Sequence, residues 1–294
     1  MNGPQAHLLK DGRRLHLNHG PIDLIVEAFG TADEVAAAYD QAVTRFATIL
    51  TELVAELPEL RRPATATPRS FAGPTARRME AAVLPLAQDF ITPMAAVAGA
   101  VADEMLVALI AGRSLDRAYV NDGGDIALFL APGASIDAAV AGTGHGIADR
   151  LTVRHADAVR GIATSGWRGR SFSLGIADAV TVLARTSAGA DAAATIIANA
   201  VDLPGHATIT REPANSWAPD SDLGDRLVTT GVGSLAPAER AAALERGLTV
   251  ANSLRRRGLI EGAALFLQGD SRVCGVAAPQ TVSLQFPERE PVHA

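Results

Sequence analysis

The sequence predicts an α+β fold in which antiparallel strand pairs pack against long, alanine-rich helices. Paired apolar-alternating runs are separated by turn residues, as in residues 13–28 around His19–Pro21, which is typical of a β-hairpin. Long segments such as 31–57 and 237–257 carry apolar residues at helical spacing. No strand–helix–strand repeat with a Gly-x-Gly-x-x-Gly turn is visible in the sequence. These three observations together favour the α+β class.

The first half of the chain is predicted to contain a hairpin, three helices and a second strand pair. Thr31 and Glu34 have capping-box spacing at the start of the first helix, and Pro58 lies near its end. Residues 61–75 are rich in Pro, Thr and Arg and are expected to form a loop. The later elements are predicted as helices over about 74–89 and 93–111 and as strands over 117–121 and 126–130.

The second half is harder to interpret, and residues 132–159 are its least readable part. Within them, Gly142–Gly146 is predicted to be a polar loop, because no clear strand precedes it and the lysine of a P-loop is missing. The remaining predictions are a strand over 179–184, a helix over 190–201, a loop over 204–225, a helix over 237–257, and strands over about 261–268 and 272–277. We expect residues 1–280 to form one domain, or two subdomains meeting at a cleft of 121–126, 161–171 and 190–195, and residues 281–294 to be a polar tail that frays.

Composition excludes several classes of protein. The 294 residues carry a net charge of −6 and only 4% aromatic residues, and their one dense basic block is Arg255–Arg257, which argues against nucleic-acid binding. The apolar run near residues 94–110 is interrupted by charge, so we interpret it as a buried helix and not a membrane span. Residues 1–14 lack the apolar core of a secretory signal, and the lone Cys274 fits a reducing compartment. We therefore expect a soluble, cytoplasmic protein that binds no membrane.

Three polar segments in this apolar chain are interpreted as one site. Gly161–Ser171 combines Gly, Ser, Thr and two arginines, which suits backbone N–H groups and guanidiniums facing an anion, although it could be a surface turn with chance arginines. Asn121–Ile126 contains a second glycine turn. Asp191 and Thr195 lie four residues apart near a helix start, so both can offer oxygen ligands to Mg²⁺ on one side. The alternative is that Asp191 only stabilises the helix dipole.

Three further charged residues set expectations of their own. Asp103 interrupts an almost wholly apolar helix, and a carboxylate is costly to bury without a partner. It therefore either faces solvent beside Glu104 or is buried with a partner, and the apolar faces around it favour burial. Arg168 and Arg170 alternate along any extended segment, so at most one faces the cleft, and the sequence does not choose between them.

The order of these motifs resembles that of the ApbE superfamily, whose members are magnesium-dependent flavin transferases that move FMN from FAD to a protein threonine. The resemblance rests on Asn121–Ile126, Ala163–Gly166, Val180–Val182 and Ala190–Thr195. Ala98–Asp103 is also similar to the Lys-Gly-Tyr-Ala-Val-Asp helix of those enzymes. The best likeness is to a branch of unsettled function, in which Thr92–Gly99, the Ser-Gly loop and Ser221–Asp225 are familiar.

The resemblance implies a role for each matching residue. Asp191 and Thr195 would hold Mg²⁺ with a backbone carbonyl near Met94, and the two glycine loops would line a flavin-nucleotide cleft together with Asp103. The candidate ligand-binding residues are Asp103, Asn121, Gly123, Gly124, Asp125, Thr164, Ser165, Gly166, Arg168 and Arg170, and the candidate metal ligands are Asp191 and Thr195.

The chain also departs from the transferase pattern. The transferases carry a His-containing stretch ending in Asp-Pro-x-Thr-Gly, whereas Trp167–Asp178 contains neither His nor Asp-Pro. The helix lysine and tyrosine are replaced by Ala98 and Ala100.

Three hypotheses follow from these matches and departures. The protein is a Mg²⁺-assisted enzyme that acts on FAD or a related phosphorylated ligand, with a protein as acceptor; a non-catalytic flavin-, pterin- or nucleotide-binding protein; or a subunit or regulator in cofactor biosynthesis. The alanine-rich helices could pack within one chain or across two, and we expect a homodimer.

Overall fold

The computed structural model describes residues 3–139, 150–275 and 284–285. Its strands come in groups that are separated by helices. The strands are β1 Gln5–Leu8, β2 Leu15–His19, β3 Ile22–Gly30, β4 Leu115–Asp122, β5 Asp125–Leu130, β6 Ser135–Ala139, β7 Arg150–Arg154, β8 Gly161–Ser165, β9 Ala179–Ala184, β10 Ile209–Pro213, β11 Leu227–Val232, β12 Gly262–Leu267, β13 Asp270–Cys274 and β14 Leu284–Gln285. The α-helices are α1 Ala32–Leu60, α2 Pro74–Val83, α3 Val97–Ile110, α4 Ser187–Ala200, α5 Ala214–Trp217 and α6 Pro237–Arg256, with 3₁₀ turns at Leu84–Leu86 and Pro93–Ala96.

The fold is organised around a nine-stranded antiparallel sheet in the order β1-β2-β3-β4-β5-β8-β9-β12-β13. The main core lies between this sheet and the long helices, with buried side chains such as Leu24, Val26 and Val180 from the strands. A second core lies between the other face and β6–β7, where Leu128 and Leu183 pack with residues of β7. The central strands are thus covered on both faces, as expected for strands as apolar as β9 and β12.

The alanine content of α3 and α4 allows the two helices to approach closely. A Cβ on Gly99 would lie 2.4 Å from the carbonyl oxygen of Ser187, so only glycine permits this contact. The stretch Pro93–Ile110 is long and apolar enough to span a membrane, yet 56% of it is buried inside the fold. This segment is a buried helix, as the sequence predicted, and its first turn is 3₁₀.

The predicted α+β class is confirmed, and the first hairpin, the long helices and the paired strands are found close to their expected positions. Three predictions need correction. The helix that starts at Pro74 ends at Val83, and a 3₁₀ turn that contains Pro85 follows, because proline supplies no N–H to continue an α-helix. The predicted loop 204–225 contains β10 and the short α5. Helix α4 begins at Ser187 and not near Ala190, because the Thr186 side chain accepts a bond from the Gly189 N–H.

Some predictions fall on other parts of the chain. Gly142–Gly146 and most of the predicted tail lie outside the described residues. Within that tail, Leu284–Gln285 is paired with β7. The choice between one domain and two subdomains stays a prediction.

Candidate functional site

A cleft of about 1040 Å³ opens at one end of the central sheet. The β4–β5 turn, the end of β8 and the start of β9 meet there, because adjacent antiparallel strands bring alternate turns to the same edge. Helix α4 contributes Asp191 and Thr195 to the wall. The 3₁₀ turn Pro93–Ala96 contributes Met94, and the start of α3 contributes Val97. The cleft is therefore built from segments far apart in sequence.

The β4–β5 turn is a tight glycine turn. The Asn121 side-chain oxygen accepts a bond of 2.8 Å from the Gly124 N–H. Gly123 and Gly124 have φ angles of +62° and +117°, which residues with a Cβ rarely adopt. A Cβ on Gly123 would also lie 1.8 Å from Nη2 of Arg170. The guanidinium of Arg170 therefore rests directly against this turn.

The loop between β8 and β9 is held by Asp178. Its carboxylate accepts hydrogen bonds from Trp167 Nε1 at 3.3 Å and from the backbone N–H of Gln268 at 2.5 Å, and it forms an ion pair with Arg168, whose Nε lies 2.8 Å from Oδ1. A Cβ on Gly166, whose φ is +157°, would lie 2.5 Å from the Asp178 carbonyl oxygen. The two arginines of the loop thus differ, because Arg168 is paired with Asp178 whereas Arg170 lies against the opposite glycine turn.

Asp191 lies on the side of α4 that faces the cleft and α3. Its Oδ2 accepts a bond of 3.1 Å from the Gly99 N–H, which joins the two helices. Burial raises the pKa of Asp191 well above its ordinary value, and the nearby Asp125 and Asp122 raise it further. Thr195 lines the same wall one helical turn later.

Asp122 and Asp125 add two more carboxylates to this cleft. The pKa of each is raised to about 7, mainly by burial, and the charge of Asp125 contributes to the shift of Asp122. The Thr164 N–H donates to Asp125 at 3.1 Å, and the positive charge of Arg170 partly offsets the shift of both. A cation that enters the cleft would remove much of this electrostatic cost.

All the predicted site residues except Asp103 line this cleft. Asp103 instead caps α4, where its two carboxylate oxygens accept bonds of 3.0 and 2.9 Å from the N–H groups of Ser187 and Ala188. Asp103 is therefore not among the residues that line the cleft, and its role in ligand binding stays a prediction. Asp103 does not simply face solvent, because its half-buried carboxylate satisfies a helix N-terminus.

Several residues of the cleft were missed in the sequence. Asp122 continues the alternation of β4, in which Ala118 and Val120 are also buried, so that pattern could have revealed its inward direction. Asp222 reaches the cleft from a loop, and the Thr92 hydroxyl donates to its carboxylate. No local pattern indicates this contact, because it joins residues far apart in the chain.

Comparisons with known proteins assign this architecture to a family. The family model described as "AbpE bacteria" matches residues 6–273. The chain belongs to this AbpE family. This supports the expected ApbE-related membership, without deciding between a flavin-transferase branch and another.

The AbpE-family chain is also similar to three UPF0280 proteins. It is 38% identical to that of Methanothrix thermoacetophila over 116 residues, 38% of this chain and 46% of the relative. It is 38% identical to the protein of Methanopyrus kandleri, over 37% of this chain and 43% of the relative. It is 40% identical to the protein of Methanocaldococcus jannaschii, over 37% of this chain and 45% of the relative. The chain thus spans less than half the length of each of these relatives.

Proposed function

We propose that the cleft binds FAD or a related phosphorylated ligand together with Mg²⁺. The observation that carries the proposal is the convergence of the glycine turn 121–126, the loop 164–170 and the pair Asp191 and Thr195 on one cleft. The cleft volume of about 1040 Å³ lies at the upper end of the range for small-molecule pockets, which leaves room for a ligand with two connected parts.

The donor set of the cleft fits a hard cation. Asp191 offers a carboxylate and Thr195 a hydroxyl, the oxygen ligands that Mg²⁺ prefers. Among the described residues no group of three or more His, Cys, Asp and Glu side chains is arranged to hold a metal. A bound Mg²⁺ would therefore take ligands from Asp191 and Thr195, and a carbonyl near Met94, waters and phosphate oxygens would supply the others. The ion would neutralise charge on the phosphates.

Arg170 and the Gly123–Gly124 turn supply the contacts to an anion. The turn needs backbone conformations that glycine allows, and the space beside Gly124 is open, so a phosphate can approach the main chain there. The guanidinium of Arg170 next to it offers charge-assisted hydrogen bonds. In this arrangement the protein orients the phosphates between an arginine and the cation at Asp191.

Whether the bound ligand reacts distinguishes two versions of the proposal. In the first, the protein transfers FMN from FAD to an acceptor protein with release of AMP. In the second, it binds the flavin, pterin or nucleotide without chemistry. The second version is favoured by the loop Trp167–Asp178, where the transferase His and Asp-Pro elements are absent and Asp178 is committed to structural bonds. Either version is compatible with a cytoplasmic homodimer.

The test is a calorimetric titration of the wild-type protein with FAD, carried out once in the presence of Mg²⁺ and once in EDTA. We expect binding that depends on Mg²⁺ and that weakens at least about tenfold in Asp191→Asn and Thr195→Val, since each change removes one metal ligand. Asp116→Asn, at an exposed position outside the cleft, is the control and should bind as wild type. Release of AMP separates the transferase from the binding protein. If FAD, FMN, ADP and pyrophosphate all fail to bind with Mg²⁺, the proposal is wrong.

A further inference from the structure

One aromatic side chain stands exposed on the wall of the cleft. Phe172 keeps 38% of its surface accessible and lines the cleft two residues after Arg170. Phe266 lines the same cleft but is only 6% exposed, because it packs into the second core. Phe172 therefore presents an apolar ring to whatever fills the cleft.

The backbone next to Phe172 is held firmly in place. The carbonyl of Ser173 accepts a bond of 2.8 Å from the Thr229 N–H, and the Leu174 N–H donates at 2.9 Å to the Asn199 side chain on α4. A Cβ on Gly175 would lie 2.1 Å from the Ala198 carbonyl oxygen, so the following residues are packed directly on α4. The exposed ring is thus attached to a fixed point and not to a free loop end.

The exposure of this ring is unusual in this chain. Aromatic residues make up only 4% of the sequence, and the exposed large hydrophobic side chains include just one other aromatic residue in the described part, Trp217. Trp217 lies outside the cleft and its Nε1 donates to Glu212. A Phe that is left uncovered beside an arginine matches a ligand that joins a planar ring to phosphate, since rings stack on aromatic faces.

We infer that Phe172 is the ring-binding residue of the cleft and selects ligands in which a planar aromatic ring is joined to a phosphate held at Arg170. This inference rests on the proposed function, because it takes the phosphate position from it. It adds that the ring, flavin or adenine, covers Phe172 and that a phosphate without a ring gains nothing from this residue.

The experiment compares Phe172→Ala, Phe172→Trp and wild type, each titrated with FAD, FMN, ADP and inorganic pyrophosphate in Mg²⁺. We expect Phe172→Ala to weaken at least one of FMN and ADP, and FAD with it, by about tenfold, the scale of one aromatic stack, while pyrophosphate affinity is unchanged. Phe172→Trp should restore the lost affinity. FMN against ADP shows which ring covers Phe172, and quenching of flavin fluorescence reports a flavin stack directly.

Trp217→Ala is the matched control, since it removes an exposed aromatic ring outside the cleft. It should bind every ligand as wild type does, and a melting temperature close to wild type should show that each variant is folded. Equal affinity of Phe172→Ala and wild type for FAD, FMN and ADP, in a protein that binds them, overturns the inference and leaves the proposed function standing. Failure of the wild-type protein to bind any of the four probes overturns both.

Discussion

Asp122 gives a prediction about stability that can be worked out from its surroundings. The side chain is only 5% exposed, and burial together with Asp125 raises its pKa from 3.8 to about 7, against the opposing effect of Arg170. Asp23 acts in both directions, since its backbone N–H lowers this pKa and its charge raises it. Because the folded state holds the proton more tightly than the unfolded state, the metal-free protein should lose stability as the pH rises from about 4 to 7.

The size of this effect follows from the shift. Each unit of pKa difference corresponds to about 1.36 kcal/mol, so the two pH units between 5 and 7 cost about 3 kcal/mol of unfolding free energy. Well above pH 7 the carboxylate is ionised in both states and the loss levels off. Asp122→Asn has no proton to release and should escape this loss. For a domain of this size, its melting temperature should gain roughly 5–10 °C on wild type between pH 5 and pH 8.

The assay is thermal unfolding by circular dichroism in EDTA at pH 5, 6, 7 and 8. Asp116→Asn, at an exposed position of β4, removes a carboxylate without removing the buried one and should follow wild type at every pH. Parallel curves for wild type and Asp122→Asn over the whole range would refute the reasoning, because the ionisation of Asp122 would then carry no folding cost.

Three further predictions concern neighbouring residues. In calorimetry, Arg170→Ala should weaken the binding of pyrophosphate with Mg²⁺ by about 1–3 kcal/mol, whereas Arg168→Ala, which loses its ion pair with Asp178, should weaken it little. Equal effects of the two changes would contradict the choice of Arg170 as the ligand-binding arginine. Asp103→Ala should lower the unfolding free energy by about 1–2 kcal/mol in urea and leave affinity unchanged, and a loss of affinity would return Asp103 to the cleft. In urea unfolding, Gly99→Ala should lower the unfolding free energy by about 1–3 kcal/mol because the added methyl group pushes α3 away from α4, whereas Gly3→Ala, in open space, should leave it unchanged. Equal stability of the two variants would refute the close contact of the helices.

The sequence predicted the fold class well because its patterns are local. The face of α1 that carries Ala38, Phe46 and Ile49 is legible from spacing alone, and it is buried as expected. The short strands β1, β6 and β7 were missed, since they are stabilised by pairing partners that no local pattern identifies. Proline and capping residues then set the ends of α2 and α4 several residues away from the simple periodic pattern.

The candidate site was predicted less evenly. Glycine turns and the pair Asp191 and Thr195 can be recognised because backbone conformation and helical spacing restrict which residues fit. The distinction between Arg168 and Arg170 could not be made, because it depends on Asp178, which lies next to one arginine only in the folded loop. The capping role of Asp103 could not be predicted either, since a carboxylate in an apolar segment can serve a helix N-terminus as well as a ligand.

The carboxylates of the cleft explain why stability and binding should be linked in this protein. Asp122 is buried and Asp125, its partner in the β4–β5 pair, is half-buried. The nearby Arg170 compensates their charge only in part, so their ionisation opposes folding near neutral pH. A cation-bearing ligand that binds only the folded state adds stability in proportion to its occupancy. The same charges that lower the stability of the metal-free fold should therefore favour binding of a cation over a bare anion. A purely structural acidic cluster would show the first effect without the second, so Mg²⁺-dependent stabilisation by a phosphorylated ligand is what separates a binding cleft from a strained core.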